Sequence, residues 1–122
     1  MPKHTDSETP LNELKEIVRK FCEERDWDQF HSPKELAIGV STEGSELLEL
    51  FRFKSDEEVM QIVEKTKREQ VGEELADVLY FVVRFAQKFG FDLTAEFHKK
   101  MAKNSAKYPV SKAKGSNKKY SE

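Results

Sequence analysis

The chain has 122 residues, a net charge of −2 and 36% charged residues, with five Gly and four Pro. That is enough for one compact domain, and the scarcity of Gly and Pro argues against a many-turned β fold. Its single cysteine, Cys22, excludes a disulfide within the chain, and no stretch approaches the ~18 consecutive apolar residues of a membrane span.

The opening MPKHTDSETP lacks the apolar core of a signal peptide, so a cytoplasmic setting with no membrane partner is expected. Residues 1–8 read as a flexible N-terminus. Thr9 followed by Pro10 marks a helix start, with the threonine as cap and the proline in the first helical position. Leu11, Leu14, Ile17, Val18, Phe21 and Cys22 then repeat at helical spacing. An aromatic and polar loop, ERDWDQFH, follows.

Ser32-Pro33-Lys34-Glu35 combines a capping box with an N1 proline and opens a second helix, predicted to run to about Phe51. Ser55-Asp56-Glu57-Glu58 opens a shorter one carrying Val59, Ile62 and Val63. Thr66-Lys67-Arg68-Glu69 offers a third box, heading a long helix that Gly90 terminates. Its apolar stripe reads Val71, Leu75, Val78, Leu79, Val82, Phe85 and Phe89. The last helix carries Leu93, Phe97 and Met101 and ends before Tyr108-Pro109. The expected fold is all-α, an antiparallel bundle of four to five helices over residues 9–109, completed by dimerisation or tetramerisation because one small chain cannot cover all these stripes.

Residues 110–122 show no periodicity. Eight Lys and one Glu fall in residues 99–122, so a basic tail follows an acidic body. Such a tail suits phosphates, nucleic acid or a neighbouring subunit's acidic surface. Nucleic acid is the poorest of these: the basic run has few aromatics, and the acidic body repels a phosphate backbone.

One feature breaks the apolar pattern of the second helix. Leu36, Val40, Glu43, Leu47 and Leu50 fall on one face, with a carboxylate in mid-line. Glu46 stands about 60° around the helix and Glu49 a further 60° on. On the long helix Glu74 and Asp77 repeat the i, i+3 spacing at the edge of the apolar stripe. An ionised carboxylate on a packed face must be neutralised, paired or bound to a cation, and several acids cannot neutralise one another. A hard divalent cation such as Mg²⁺ resolves the conflict and suits phosphoryl chemistry. The structural alternative is a set of ordinary solvated surface acids, with Glu43 paired to a basic side chain.

Taken together, ERDWDQFHSPKELAIGVSTEGSELLELFRF, EELADVLYFVVRFA, KMAKNSAKYPV and KGSNKKYSE resemble the MazG-like all-α nucleoside triphosphate pyrophosphohydrolases, and within them the dCTP pyrophosphatase branch. The resemblance spans residues 11 to 121. It implies helical subunits that pair into dimers or tetramers and Mg²⁺ held by Glu43, Glu46, Glu74 and Asp77. The implied reaction is hydrolysis of a deoxynucleoside triphosphate to the monophosphate and pyrophosphate, with Glu46 or Glu49 orienting the water. Asn104 and Lys107 match positions near the phosphates, and Lys114, Lys118, Lys119 and Tyr120 match a basic stretch that wraps a neighbour, reaches phosphates, or orders only with substrate. For the base, the candidates are Trp27, Phe30, His31 and Phe53. Phe53 replaces a Trp of close relatives and Phe81 a Tyr, so base preference is where this chain departs from the branch. Two alternatives stand beside this one: an all-α dUTP diphosphatase, and a non-enzymatic helical dimerisation module with acidic faces.

Overall fold

Six α-helices and no strand form in the computed structural model, which describes residues 4–122. Two compact units divide the chain, residues 1–90 and 91–122. No helix among the described residues is long and apolar enough to cross a membrane.

In the first unit, α1 (Leu11–Glu24) starts one residue later than the sequence predicts. Pro10 takes the extended capping conformation, and Thr9 N–H is already engaged by Thr5 O at 3.0 Å in the preceding turn. Val18 and Cys22, one helical turn apart, are its buried residues. A short 3₁₀ turn (Asp28–Phe30) leads to α2 (Pro33–Glu49), where Ser32 Oγ accepts from Glu35 N–H at 3.2 Å. This cap satisfies one of the orphan donors of the first turn.

At α3 (Asp56–Gln61) the box at Ser55 closes in both directions: Ser55 Oγ accepts from Glu58 N–H, and Glu58 Oε1 accepts from Ser55 N–H. The third predicted box does not form. The chain widens over Ile62–Thr66 into an i→i+5 turn, closed by Lys67 N–H on Ile62 O, and the Thr66 hydroxyl points back to Gln61 O. Ile62 is buried in this turn, so the wider winding serves packing rather than capping.

Helix α4 (Arg68–Phe89) ends as predicted: Gly90 adopts φ 77°, the left-handed conformation that suits a residue without Cβ, and donates to Ala86 O. Its burial differs from the predicted stripe. Val71 is buried, but so are Val83, Arg84 and Ala86, while Leu75, Leu79 and Phe89 lie exposed. The cause is that α4 packs against both α1 and α2, which turns the Leu75–Leu79 edge outward. The core comprises Val18, Cys22, Leu36, Ile62, Val71, Val83 and Ala86.

The second unit contains α5 (Leu93–Lys107), capped by Asp92 on Ala95 N–H at 2.9 Å, and the single-turn α6 (Val110–Ala113). The Tyr108 and Tyr120 rings meet edge to face at 5.9 Å, and the Lys107 ammonium lies 4.9 Å from the Tyr120 centroid. The basic tail therefore folds back on the end of α5.

Candidate metal centre

The site begins with a glycine. Gly39 on α2 meets the Phe81 ring on α4 so closely that a Cβ there would overlap it. The helices are antiparallel, so one turn along α2 and one back along α4 bring Glu43 opposite Asp77, and two turns bring Glu46 opposite Glu74. Glu43, Glu46 and Glu74 each offer a carboxylate oxygen, and these atoms lie within 4.8 Å of one another.

Glu43 and Glu74 are half-buried, and each keeps one Oε2 out of solvent with no hydrogen-bond partner among the described residues. Burial first, and the neighbouring Glu46 charge next, push both carboxyls above their ordinary range; Asp77 adds to the repulsion at each. Orphaned acceptors beside like charges are costly unless a proton or a cation meets them. Two sequestered oxygens and a third converging carboxylate fit an oxygen-loving divalent ion.

The remaining acids sort by position. Asp77 is exposed and is not among the three converging carboxylates, although its charge acts on both Glu43 and Glu74. Glu49 turns away, 3.6 Å from the Arg52 guanidinium. That guanidinium also lies over the ring of Phe53, which is 90% exposed and held at φ 62°, an unusual conformation for a bulky residue. Phe81 is half-buried against Gly39, and the neighbouring Tyr80 hydroxyl faces Cys22 Sγ at 3.2 Å.

Trp27 packs edge-on against Phe21 at 5.5 Å, and Phe21 in turn meets Tyr80 at 6.0 Å, which fixes the loop to α1 and α4. Phe30 remains 62% exposed. The Trp27 and His31 rings lie 6.1 Å apart.

Sequence reasoning missed Arg84, the one buried charged residue among those described, at 1% exposure. Its Nε donates to His31 Nδ1 at 3.0 Å, Nη1 to Gln87 Oε1 at 2.6 Å, and Nη2 to Asp28 Oδ1. Lys88 Nζ donates to the backbone oxygens of Asp28 and His31 at 2.5 and 2.7 Å. The Arg84 hydrogen bond holds the Asp28 carboxyl below its usual range; burial, then the Arg84 and Lys88 charges, depress His31. A charge inside the apolar run LYFVVRFA is the same signal that singles out Glu43.

In the second unit Lys107, Lys118, Lys119 and Tyr120 line one open cleft of about 360 Å³, with Tyr108 and Lys112. Asn104 is half-buried on α5, its Nδ2 toward Met101 Sδ at 4.0 Å. Lys114 caps the end of α6, away from that lining.

A family model described as the MazG-like family matches residues 38–122. The protein "dCTP pyrophosphatase 1" of Rattus norvegicus is 38% identical over 116 residues, covering 94% of this chain and 68% of the rat protein. Its Homo sapiens counterpart is 37% identical over the same shares. Among solved structures, a pyrophosphatase from Archaeoglobus fulgidus matches with a TM-score of 0.75 and 35% identity, over 89% of this chain and 98% of that one.

Proposed function

This chain belongs to the MazG-like family, and from that premise we propose that it cleaves dCTP, or a related or modified pyrimidine deoxynucleotide, to the monophosphate and pyrophosphate. It is a nucleoside triphosphate pyrophosphohydrolase; a non-enzymatic dimerisation module leaves the sequestered oxygens of Glu43 and Glu74 without a purpose. Those two sequestered oxygens, on carboxylates that converge with that of Glu46, are the observation that carries this reading.

Glu43, Glu46, Glu74 and Asp77 are the residues that would hold Mg²⁺. When bound there, the cation supplies charge neutralisation for the phosphates and lowers the pKa of water. Glu46 is exposed and lies in the cluster, whereas Glu49 is engaged by Arg52, so Glu46 is the better placed to orient the attacking water. Asn104, Lys107, Lys118 and Lys119 offer amide and ammonium donors suited to the phosphate oxygens. Trp27, Phe30, His31 and Phe53 offer the faces and edges that receive the base. The exposed apolar residues Ile17, Leu75, Leu79 and Phe89 support association with further copies of the chain as a dimer or tetramer.

The test is pyrophosphate release from all common ribo- and deoxynucleoside triphosphates, with Mg²⁺ and with EDTA. Mg²⁺-dependent release, strongest for dCTP, is expected. No cleavage of any nucleotide would overturn the reading, and a preference for dUTP would move the chain to the dUTP diphosphatase alternative.

A further inference from the structure

We propose that Arg84 is a positioning residue for base recognition, holding His31 as the neutral tautomer with its proton on Nε2, so that the imidazole offers the base a hydrogen-bond donor and no acceptor. This rests on the reading that the 27–31 segment receives the base.

The chemistry of the pair leaves little freedom. A guanidinium has five N–H donors and no acceptor. The nitrogen that takes the Arg84 Nε–H bond at 3.0 Å must therefore present a lone pair, and that nitrogen is His31 Nδ1. A neutral imidazole with a bare Nδ1 carries its proton on Nε2.

Arg84 is itself fixed. It is 1% exposed, and its other nitrogens are occupied by Asp28 and Gln87. Turning away from His31 would leave a buried charged donor unmet, which is expensive. Lys88 fixes the same segment from the backbone side, through the carbonyls of Asp28 and His31. The groups that face the ring are thus two cations from α4 and one carboxylate from the 3₁₀ turn. Burial and those cations also resist a second proton on the ring.

The location fits a nucleotide. Arg84 comes seven residues after Asp77, two helical turns on the same face, about 10 Å along α4. Arg84, which holds the ring, and the α4 acids Glu74 and Asp77 are therefore spaced along one helix.

A donor-only imidazole discriminates. The edge of cytosine presents adjacent acceptors at N3 and O2, while uracil and thymine place an N–H at position 3. O2 accepts in all three, so the discrimination lies at position 3. An Nε2–H group aimed there pairs with cytosine N3 and opposes the N–H of uracil or thymine, and a site built around one hydrogen bond rejects an analogue that leaves its polar group unpaired. The same lock keeps positive charge off the base-reading ring.

Histidine-selective ¹⁵N NMR of the full chain tests the lock directly, with His31→Gln assigning the signal among the three histidines. A bare Nδ1 and protonated Nε2 are expected in the wild type. In Arg84→Met the ring should exchange between tautomers and take up a proton at higher pH, while KM for dCTP rises about tenfold, the scale of one hydrogen bond, and kcat changes less than twofold. In a His31→Gln background the Arg84→Met change should leave KM unmoved. Asp28→Asn, which retains an acceptor for Arg84, should lower the melting temperature yet keep both tautomer and KM. A proton on Nδ1 in the wild type, or an unchanged tautomer in Arg84→Met, overturns the lock. An Asp28→Asn variant whose KM rises as much as that of Arg84→Met assigns the effect to loop stability and also overturns it. If the tautomer is as stated but His31→Gln leaves the KM for dCTP unchanged, the placement of the base at this segment is what fails.

Discussion

Gly39 and the Phe81 ring are in contact with no room for a side-chain carbon between them. This pair sets how closely α2 approaches α4, one to two turns from the point where Glu43, Glu46 and Glu74 converge. Gly39→Ala must push the ring or the helix aside, a strain of about 1–3 kcal/mol. The expected outcome is a lower melting temperature together with weaker Mg²⁺ binding, read by thermal melts and by metal titration. A variant that melts lower but titrates identically would uncouple the crossing from the site.

Glu43→Gln separates stability from function. The carboxyl is pushed up by burial and by Glu46, Asp77 and Glu74, so removing its charge relieves repulsion in the metal-free protein. Melting in EDTA should be equal to or above that of the wild type. Activity should fall about 100-fold or more, since even partners outside the ligand shell are worth 10–100-fold. The rise in melting temperature on adding Mg²⁺, expected for the wild type by linkage, should largely disappear. Activity that survives loss of both Glu43 and Asp77 would remove the cluster from the reaction.

Lys107 is exposed at the end of α5, so Lys107→Ala should leave the fold intact. Losing a charge-assisted bond to a phosphate is expected to lower kcat/KM about tenfold or more. Unchanged kinetics alongside an unchanged melting temperature would exclude the residue from phosphate binding.

The pH dependence has a definite sign at His31. Its folded-state pKa lies below the ordinary 6.5, so between those values the unfolded chain binds more protons than the folded one. Stability is present above 6.5 and is lost as pH falls below it. Asp28, depressed by Arg84, adds a second loss that begins below its ordinary 3.8. Glu43 and Glu74 act oppositely in the metal-free protein: their raised pKa values give stability that is present below 4.5 and lost as pH rises through the folded values. Melting curves from pH 7 to 5 should therefore slope less in His31→Gln than in the wild type. Parallel slopes would show that His31 does not titrate between the two states.

Much of the fold is legible locally. The Ser55 box and the left-handed stop at Gly90 depend on residues within one turn of one another, and they form as the sequence predicts; at Ser32 only the forward half of the predicted box forms, Ser32 Oγ accepting from Glu35 N–H. So does the all-α class, because 3.6-residue periodicity is a property of each segment alone. Where a neighbouring element enters, the reading loses its grip. The box at Thr66 gives way to a wider turn that buries Ile62, and the α4 stripe loses Leu75 and Leu79 to solvent because α1 and α2 cover its other flank.

The candidate site divides the same way. An acid in an apolar line marks Glu43 without any structure, since a charge on a packed face demands a partner wherever it occurs. Which partner answers that demand is a matter of three-dimensional placement. The ligand set that the resemblance implies already includes Glu46 and leaves out Glu49; the packing of α2 on α4 at Gly39 and Phe81 adds the distances, with Glu46 converging on Glu43 and Glu74 and Glu49 turned to Arg52. Only the packing of the 3₁₀ turn on α4 shows that Arg84 serves Asp28 and His31, residues more than fifty positions away. Spacing along one helix fixes which side chains share a face; distances between helices are set by how tightly their surfaces interlock, and a single glycine opposite a ring decided that here.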